Sequence, residues 1–114
     1  NPGEADQSSV TALAFEPNEH LENVLGEMTR SENVRIKTPA AGNTFKPGEE
    51  IKFEWEGAES GLEIVILNNR DEVLSRDKAA GRKLNRKAPS TPGLYYWKLE
   101  TDDDLLYVGK FLVR

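Results

Sequence analysis

Histidine and cysteine, two residue types that often carry out catalysis, are scarce in this 114-residue chain. Its one histidine, His20, lies among acidic residues, and nothing in the spacing brings a base to Ser60 or Ser90, as a serine nucleophile would require. The absence of cysteine excludes thiol catalysis and disulfides, and one histidine cannot build the usual zinc sites. We therefore expect no catalytic residue, no metal and no cofactor, and we predict that the protein is not an enzyme.

Two groups of carboxylates have the residue types of a functional site without its spacing. Asp102, Asp103 and Asp104 are consecutive, whereas calcium loops alternate their ligands, so this run suits a hairpin turn. Glu54 and Glu56 alternate with hydrophobic residues, which places both on the solvated side of one strand. A glycosidase pair faces a single cleft, and one of its carboxyl groups is partly desolvated. Both groups are therefore interpreted as surface.

A run of basic residues marks the second half of the chain, and it consists of Arg82, Lys83, Arg86 and Lys87. It could bind an anionic glycan, a phosphate headgroup or the acidic N-terminal part of this chain. More often, such a run protects an edge strand against pairing with another molecule. We favour the edge strand and keep an anion-binding strand as the alternative.

The acidity of the chain, a formal net charge of −5, is concentrated near the N-terminus. Residues 1–32 contain seven acidic residues and one basic residue, so the rest of the chain is close to neutral. The acidic balance argues against nucleic acid as a partner, because nucleic-acid binding needs a clustered basic surface, and we expect none to bind. No apolar run approaches the roughly 20 residues of a membrane-spanning helix.

Periodicity divides the chain into three parts. Residues 1–14 are mostly small and polar, and they are predicted to be a flexible acidic leader. Residues 15–32 are predicted to form an amphipathic helix of about three turns, because hydrophobic residues recur at i, i+3, i+4 and i+7. This stripe consists of Leu21, Val24, Leu25 and Met28. Residues 33–114 change to a period of two and are predicted to form a β-sandwich.

The alternation is clearest where Ile51, Phe53 and Trp55 are separated by charged residues. About seven short strands of this kind, with turn residues roughly every ten positions, are typical of an antiparallel β-sandwich.

The sixth predicted strand carries a family resemblance. Together with Trp55, the stretch from Pro92 to Leu99 resembles immunoglobulin-like and fibronectin type III-like domains, whose Gly-x-Tyr entry to this strand matches Gly93 to Tyr95. The resemblance implies an immunoglobulin-like fold with a tyrosine corner at Tyr95 and without the inter-sheet disulfide. More narrowly, Gly-Leu-Tyr-Tyr-Trp-Lys and Tyr-Val-Gly-Lys-Phe resemble bacterial extracytoplasmic domains that follow a membrane anchor. We therefore expect a periplasmic or cell-surface location and an N-terminal tether that lies upstream of Asn1.

Strand parity predicts an apolar outer face on the sheet formed by the third, sixth and seventh predicted strands. Its members are Val65, Leu67, Tyr96, Val108 and Leu112. Such a patch is too apolar to face water, so we expect the helical stripe of residues 15–32 to pack on it as an N-terminal helix on the outer sheet face. The alternative is that another protein or a second copy covers it.

The function that these observations favour is a non-catalytic extracytoplasmic interaction or spacer module of a membrane-anchored bacterial protein. Its partner is expected to be a protein, and the membrane is reached only through the missing N-terminal anchor. The alternative is a carbohydrate-binding β-sandwich, for which a glycan would be the ligand.

Overall fold

The computed structural model describes residues 13–27, 34–40, 42–57, 62–102 and 104–114. Within these ranges, the chain forms a short helix, α1 (Glu19–Glu22). The strands are β1 (Gly26–Glu27), β2 (Arg35–Thr38), β3 (Asn43–Phe45), β4 (Glu50–Glu56), β5 (Glu63–Asn68), β6 (Val73–Lys78), β7 (Lys83–Lys87), β8 (Gly93–Glu100) and β9 (Leu105–Val113).

The strands form two sheets. One has the order β1-β9-β8-β5-β6, with β3 also paired to β9, and the other has the order β2-β4-β7. All pairs are antiparallel except β3 with β9. The predicted fold is therefore confirmed as an immunoglobulin-like or fibronectin type III-like β-sandwich that is mainly β.

The core between the sheets follows from alternation along the strands. On β4, Ile51, Phe53 and Trp55 are buried while the charged residues between them face outward. On β8, Tyr95 and Trp97 point into the same core. The Trp97 indole lies directly over β9 at Gly109, where an added Cβ would overlap the ring. Burial of side chains this large supplies most of the driving force for folding.

The tyrosine corner expected at Tyr95 is present. The Tyr95 hydroxyl donates a hydrogen bond of 2.6 Å to the carbonyl oxygen of Thr91, four residues upstream. The bond ties the connection between β7 and β8 to the start of β8, as it does in immunoglobulin-like domains.

The N-terminal helix is much shorter than predicted. Asn18 caps a single turn, its side chain accepting a hydrogen bond from the Leu21 amide, and by Gly26 the chain has become strand β1. Gly26 disfavours helix, and isolated helices of a few turns are marginal. The free edge of β9 offers backbone hydrogen bonds to an extended chain, so a strand is formed there instead. Met28 and the rest of the predicted helix lie outside the described residues, as do residues 1–12 of the predicted leader.

The start of β9 departs from simple alternation. Leu99 pairs with Tyr107 and Glu100 pairs with Leu105, so the register shifts at Leu106. Unbroken alternation from Val108 would place Leu106 on the outer face, but the shift turns it into the core between the sheets. A bulge of this kind cannot be seen in a hydrophobic pattern, because it changes which face a residue occupies without changing its type.

Candidate functional site

Residues 13–27, here called the strap, run lengthwise over the six-stranded sheet. The strap begins near the end of β9, where Arg114 lies 5.7 Å from the centre of the Phe15 ring. It ends alongside the first half of β9, where Gly26 pairs with Val108. The strap therefore travels against the direction of β9 and covers the side of the sheet that faces away from the core.

The sheet surface beneath the strap, here called the outer face, holds a second hydrophobic cluster. Leu21 is 1% exposed and fills its centre. The buried sheet residues around it are Val65, Leu67, Leu94 and Tyr96, and Val24, Leu25 and Leu112 pack against them while partly buried.

The structure brings together most of the residues that the sequence assigned to this patch. Val108 is fully buried but lies outside this cluster, at the position that pairs with Gly26 of β1. Met28 lies outside the described residues. Leu94 was missing from the assignment, although it has the same strand parity as Tyr96 and could have been found from it.

A polar network joins the strap to the same face. The Tyr96 hydroxyl donates to Glu22 Oε2 at 2.6 Å and accepts from the Asn18 amide at 3.0 Å. The Lys110 ammonium lies 3.2 Å from both carboxylate oxygens of Glu22. Hydrogen bonds to charged groups are among the stronger ones in proteins, so this network orients Leu21 over its cluster.

The network changes the acidity of two groups. Burial alone would raise the pKa of Glu22, but the hydrogen bonds from Tyr96 and Lys110 outweigh it and hold the pKa below its ordinary value. Burial, together with the hydrogen bond to Glu22, raises the pKa of Tyr96 to about 12. At neutral pH, the hydroxyl is therefore a donor and the carboxylate an acceptor, the pairing that the geometry requires.

The turn between β5 and β6 anchors the start of the strap. The Asn69 side-chain amide donates to the carbonyl oxygens of Leu13 at 2.6 Å and Glu16 at 2.8 Å. In return, the Asn18 side-chain amide donates to the carbonyl oxygen of Asn69 at 3.0 Å. Sequence reasoning missed these asparagines because side-chain to backbone bonds over such separations have no sequence signature.

A shallow cleft lies beside this anchor. It has a volume of about 490 Å³, and its walls include Leu13, Pro17, Arg70 and Thr91. Because the strap forms one of the walls, the cleft exists only while the strap is docked.

The candidate residues for catalysis or metal binding are dispersed. His20 and Ser90 are exposed, and Ser60 lies outside the described residues. Asp102 and Asp104 are exposed in the β8–β9 turn, where the Asp104 amide donates to the Thr101 hydroxyl at 2.8 Å. Among the described residues, no group of three or more His, Asp or Glu side chains is placed to hold a metal ion.

The carboxylates of β4 take part in charge pairing across the three-stranded sheet. Glu56 lies 3.8 Å from Arg35 and 3.7 Å from Lys37, both on β2. All these side chains are about half exposed or more, so the pairs contribute little to stability. Glu54 lies opposite Lys83 in the backbone register of β4 and β7.

The basic run forms β7, which is the last strand in the order β2-β4-β7. Arg86 Nε lies 3.1 Å from Asp77 Oδ2, and Lys87 lies opposite Glu50 in the backbone register of β4 and β7. Arg82 Nε donates to the carbonyl oxygen of Gly57 at 3.0 Å. This local compensation suits an edge strand, and an anion-binding role for these residues stays a prediction.

No helix in the described parts of the chain has the length and apolar character needed to cross a bilayer.

Comparison with known proteins finds similarity in fold only. No protein-family model matches the sequence, and no curated protein matches it. Similar solved structures include fibronectin(III)-like modules of Clostridium thermocellum CbhA, at 17% identity and a TM-score of 0.43, covering 71% of this chain and 93% of the module. Another is Dpr1 IG1 bound to DIP-eta IG1, at 10% identity and a TM-score of 0.49, covering 75% and 97%. A third, the beta-glucosidase from Listeria innocua in complex with glucose, is 14% identical with a TM-score of 0.42, and covers 78% of this chain and 17% of the enzyme. None of these similarities carries a functional argument.

Proposed function

We propose that this chain is a non-catalytic extracytoplasmic interaction or spacer module of a membrane-anchored bacterial protein, with the interaction role favoured. The resemblance of its strands to anchored extracytoplasmic domains motivates the location and the N-terminal tether. The path of the strap distinguishes the two roles.

The carrying observation is that Phe15 and Arg114 lie at the same end of the sandwich. Strand β2 starts at the opposite end, because Arg35 pairs with Glu56 while the parallel pairing of β3 with β9 brings Phe45 to Val113. The strap therefore folds back along the whole sheet before the sandwich begins. The chain enters the sandwich through the strap and comes back to the same end at Arg114. The module therefore adds little length between the segments that it connects, and its opposite end projects outward. This geometry favours display of a surface over spacing.

The exposure of the charged groups supports the non-catalytic part of the proposal. In the described ranges, no polar or charged residue is buried. General acids and bases are usually tuned by desolvation or by a neighbouring charge in a cleft. Two perturbed groups, Glu22 with a lowered pKa and Tyr96 with a pKa raised to about 12, form the hydrogen bonds that hold the strap in place.

Among the described residues, no exposed aromatic ring supports the carbohydrate-binding alternative. Sugar-binding sandwiches display exposed aromatic rings, and Tyr96 was the outward-facing aromatic that such a role could have used. It is fully buried beneath the strap. Both tryptophans lie in the core between the sheets. Unchanged tryptophan fluorescence across a glycan panel is the expected result, and quenching by a sugar would reverse this preference.

The location is tested by the accessibility of introduced cysteines. Because this sequence contains no cysteine, each introduced thiol is the one that a maleimide can label in it. Asp102→Cys and Arg70→Cys place single thiols at exposed positions at the far and near ends of the sandwich. We expect a membrane-impermeant maleimide to label both variants of the full gene product in intact cells, with the cysteine-free parent as the unlabelled control. Labelling that requires lysis of the inner membrane would contradict the proposed location.

The interaction role is tested in the same cells with a photo-crosslinking residue at Asp102, Leu74 or Lys83, all of which are exposed. We expect a discrete protein adduct from at least one of these positions. The absence of an adduct from all three would reject the interaction role in favour of a spacer.

A further inference from the structure

The outer face has the chemistry of a small recognition site, and the strap occupies it. Leu21 fills an apolar depression whose walls include Leu67 and Tyr96. Beside it, the Tyr96 hydroxyl and the Lys110 ammonium converge on one carboxylate, at 2.6 and 3.2 Å. An apolar side chain followed directly by a carboxylate is therefore the ligand that this face recognises.

The strap buries fewer hydrophobic side chains than the strands beneath it. Leu21 is the strap's one fully buried hydrophobic side chain among those described, and Leu13 is 59% exposed. The Glu22 and Lys110 side chains are 27% and 33% exposed, so water reaches their ion pair. Segments with few buried contacts open locally at a fraction of the global stability. The strap can therefore leave the outer face while the sandwich stays folded.

We propose that the outer face is a peptide-binding site for a partner segment that presents a leucine-like residue followed by a glutamate or aspartate. The strap holds this site in a self-occupied state. The proposal rests on the interaction function proposed above and assigns a surface and a ligand chemistry to it. The class of ligand follows from the apolar depression and the two adjacent donors, which the chain's own Leu21–Glu22 pair satisfies.

The test measures binding of a fluorescently labelled synthetic peptide of residues 13–27 to the full chain. The host is the full chain carrying both Leu21→Ala and Glu22→Gln, which weaken the docking of its own strap and free the site. We expect this host to bind the peptide at least about tenfold more tightly than the wild-type chain, because a tethered strap competes at high effective concentration. Equal binding by both chains would show that the strap does not occupy the peptide's site and would overturn the proposal.

Peptide variants test the ligand chemistry. We expect Glu22→Gln in the peptide to weaken binding about tenfold, as loss of charge-assisted hydrogen bonds predicts, and Leu21→Ala to weaken it by a similar factor. Glu19→Gln is the matched control, because the Glu19 side chain is exposed on the same turn, and it should leave the affinity unchanged. Equal losses for Glu19→Gln and Glu22→Gln would indicate binding by net charge alone and overturn the proposal.

Lys110→Met in the host removes one of the donors that recognise the carboxylate, and it should weaken binding of the wild-type peptide but not that of the Glu22→Gln peptide. If the double-variant host does not fold by circular dichroism, the single Glu22→Gln chain, which keeps the Leu21 contacts, replaces it with the same expectations. A peptide that binds no host would overturn the inference while leaving the labelling and cross-linking results intact.

The same peptide distinguishes a foreign segment from a second copy. Light scattering is expected to show a wild-type monomer. A wild-type dimer that the peptide dissociates would mean that two copies exchange straps, and the proposal of a foreign segment would then be wrong.

Discussion

The molecule contains two hydrophobic clusters that are built in different ways. Among the described residues, the cluster between the sheets holds fifteen buried residues from strands far apart in sequence, and the cluster beneath the strap holds five. The larger one is closed on both sides by sheets. The smaller one is closed by one short turn of chain, and a partly exposed polar network at its margin sets the position of that turn.

This difference indicates which part of the fold can respond to a partner. Opening the larger cluster means separating two sheets and losing the whole core, so that cluster unfolds with the protein. Opening the smaller one exposes Leu21 and the sheet residues beneath it and breaks a few hydrogen bonds, but it leaves the core between the sheets closed. We therefore expect substitutions in the two regions to differ in size and also in what they expose.

The largest effect is expected for Phe111→Ala in the cluster between the sheets. The Phe111 ring is fully buried, and its centre lies 5.6 Å from the ring centre of Tyr95 and 5.8 Å from that of Phe45. Truncation should lower the free energy of unfolding by about 3–5 kcal/mol, measured by urea denaturation. Leu74→Ala is the control, because Leu74 is half exposed on β6, and it should change stability little. Similar losses of stability for the two variants would mean that burial of the side chain does not decide the cost of truncation.

A smaller effect is expected for Leu21→Ala in the strap. The free energy of strap docking should fall by about 2 kcal/mol, the low end for a buried leucine, because the strap can leave the face instead of keeping a cavity. The variant should gain binding of a hydrophobic dye at neutral pH while the unfolding midpoint of the sandwich stays close to the parent's. Leu13→Ala, in the exposed part of the same strap, is the control. A cooperative loss as large as that of Phe111→Ala would show that the strap and the core unfold together.

The adjacent residues Tyr95 and Tyr96 allow the two clusters to be compared by the removal of single hydrogen bonds. Tyr95→Phe removes the bond to Thr91 and should lower global stability by about 1 kcal/mol. Tyr96→Phe removes the bond to Glu22 and should act on the strap alone, speeding hydrogen exchange of the Leu21 amide roughly fivefold without moving exchange in β4. If Tyr96→Phe destabilises β4 as much as Tyr95→Phe does, the strap is part of the global folding unit.

The smallest effect is expected from pH. Because the folded-state pKa of Glu22 is lowered from its ordinary value of 4.5, the carboxylate stabilises strap docking above pH 4.5, and this contribution is lost as pH falls below it. Tyr96 acts at the other limit: its pKa is raised from 10.0 to about 12, so its contribution is complete below pH 10 and is lost as pH rises through about 12. Dye binding to the outer face measures both.

The Glu22→Gln variant is the control for the acid limit. Its dye binding at neutral pH should already resemble that of the parent at low pH, and it should show a smaller change on acidification. An acid transition of equal size in the variant would assign the effect to other carboxylates.

Much of the sandwich was predictable because burial alternates along its strands. Ile51, Phe53 and Trp55 could be assigned to the core from spacing alone, and Tyr95 to a tyrosine corner from the residues before it. The outer face followed from the same parity, and Val65, Leu67, Tyr96 and Leu112 do lie together there. The register shift at Leu106 was not predictable, because it depends on how β8 and β9 meet.

The candidate site was predictable only in its hydrophobic part. Leu21 could be chosen from the helical stripe, although the stripe does not form a helix of three turns. The partnership of Glu22 with Tyr96 and Lys110 joins residues 74 and 88 positions apart, and no local pattern indicates it.

The sequence by itself determined which strand residues alternate into the core and that no thiol chemistry is available, because these depend on residue type and spacing. The tertiary structure decided where the strap changes from helix to strand, which carboxylate meets Tyr96, and that Phe15 and Arg114 share one end of the sandwich. The physical reason is that each of these depends on contacts between distant segments. The edge of β9 supplies backbone partners that override the weak helical preference of residues 23–27, and so it directs the strap along the sheet.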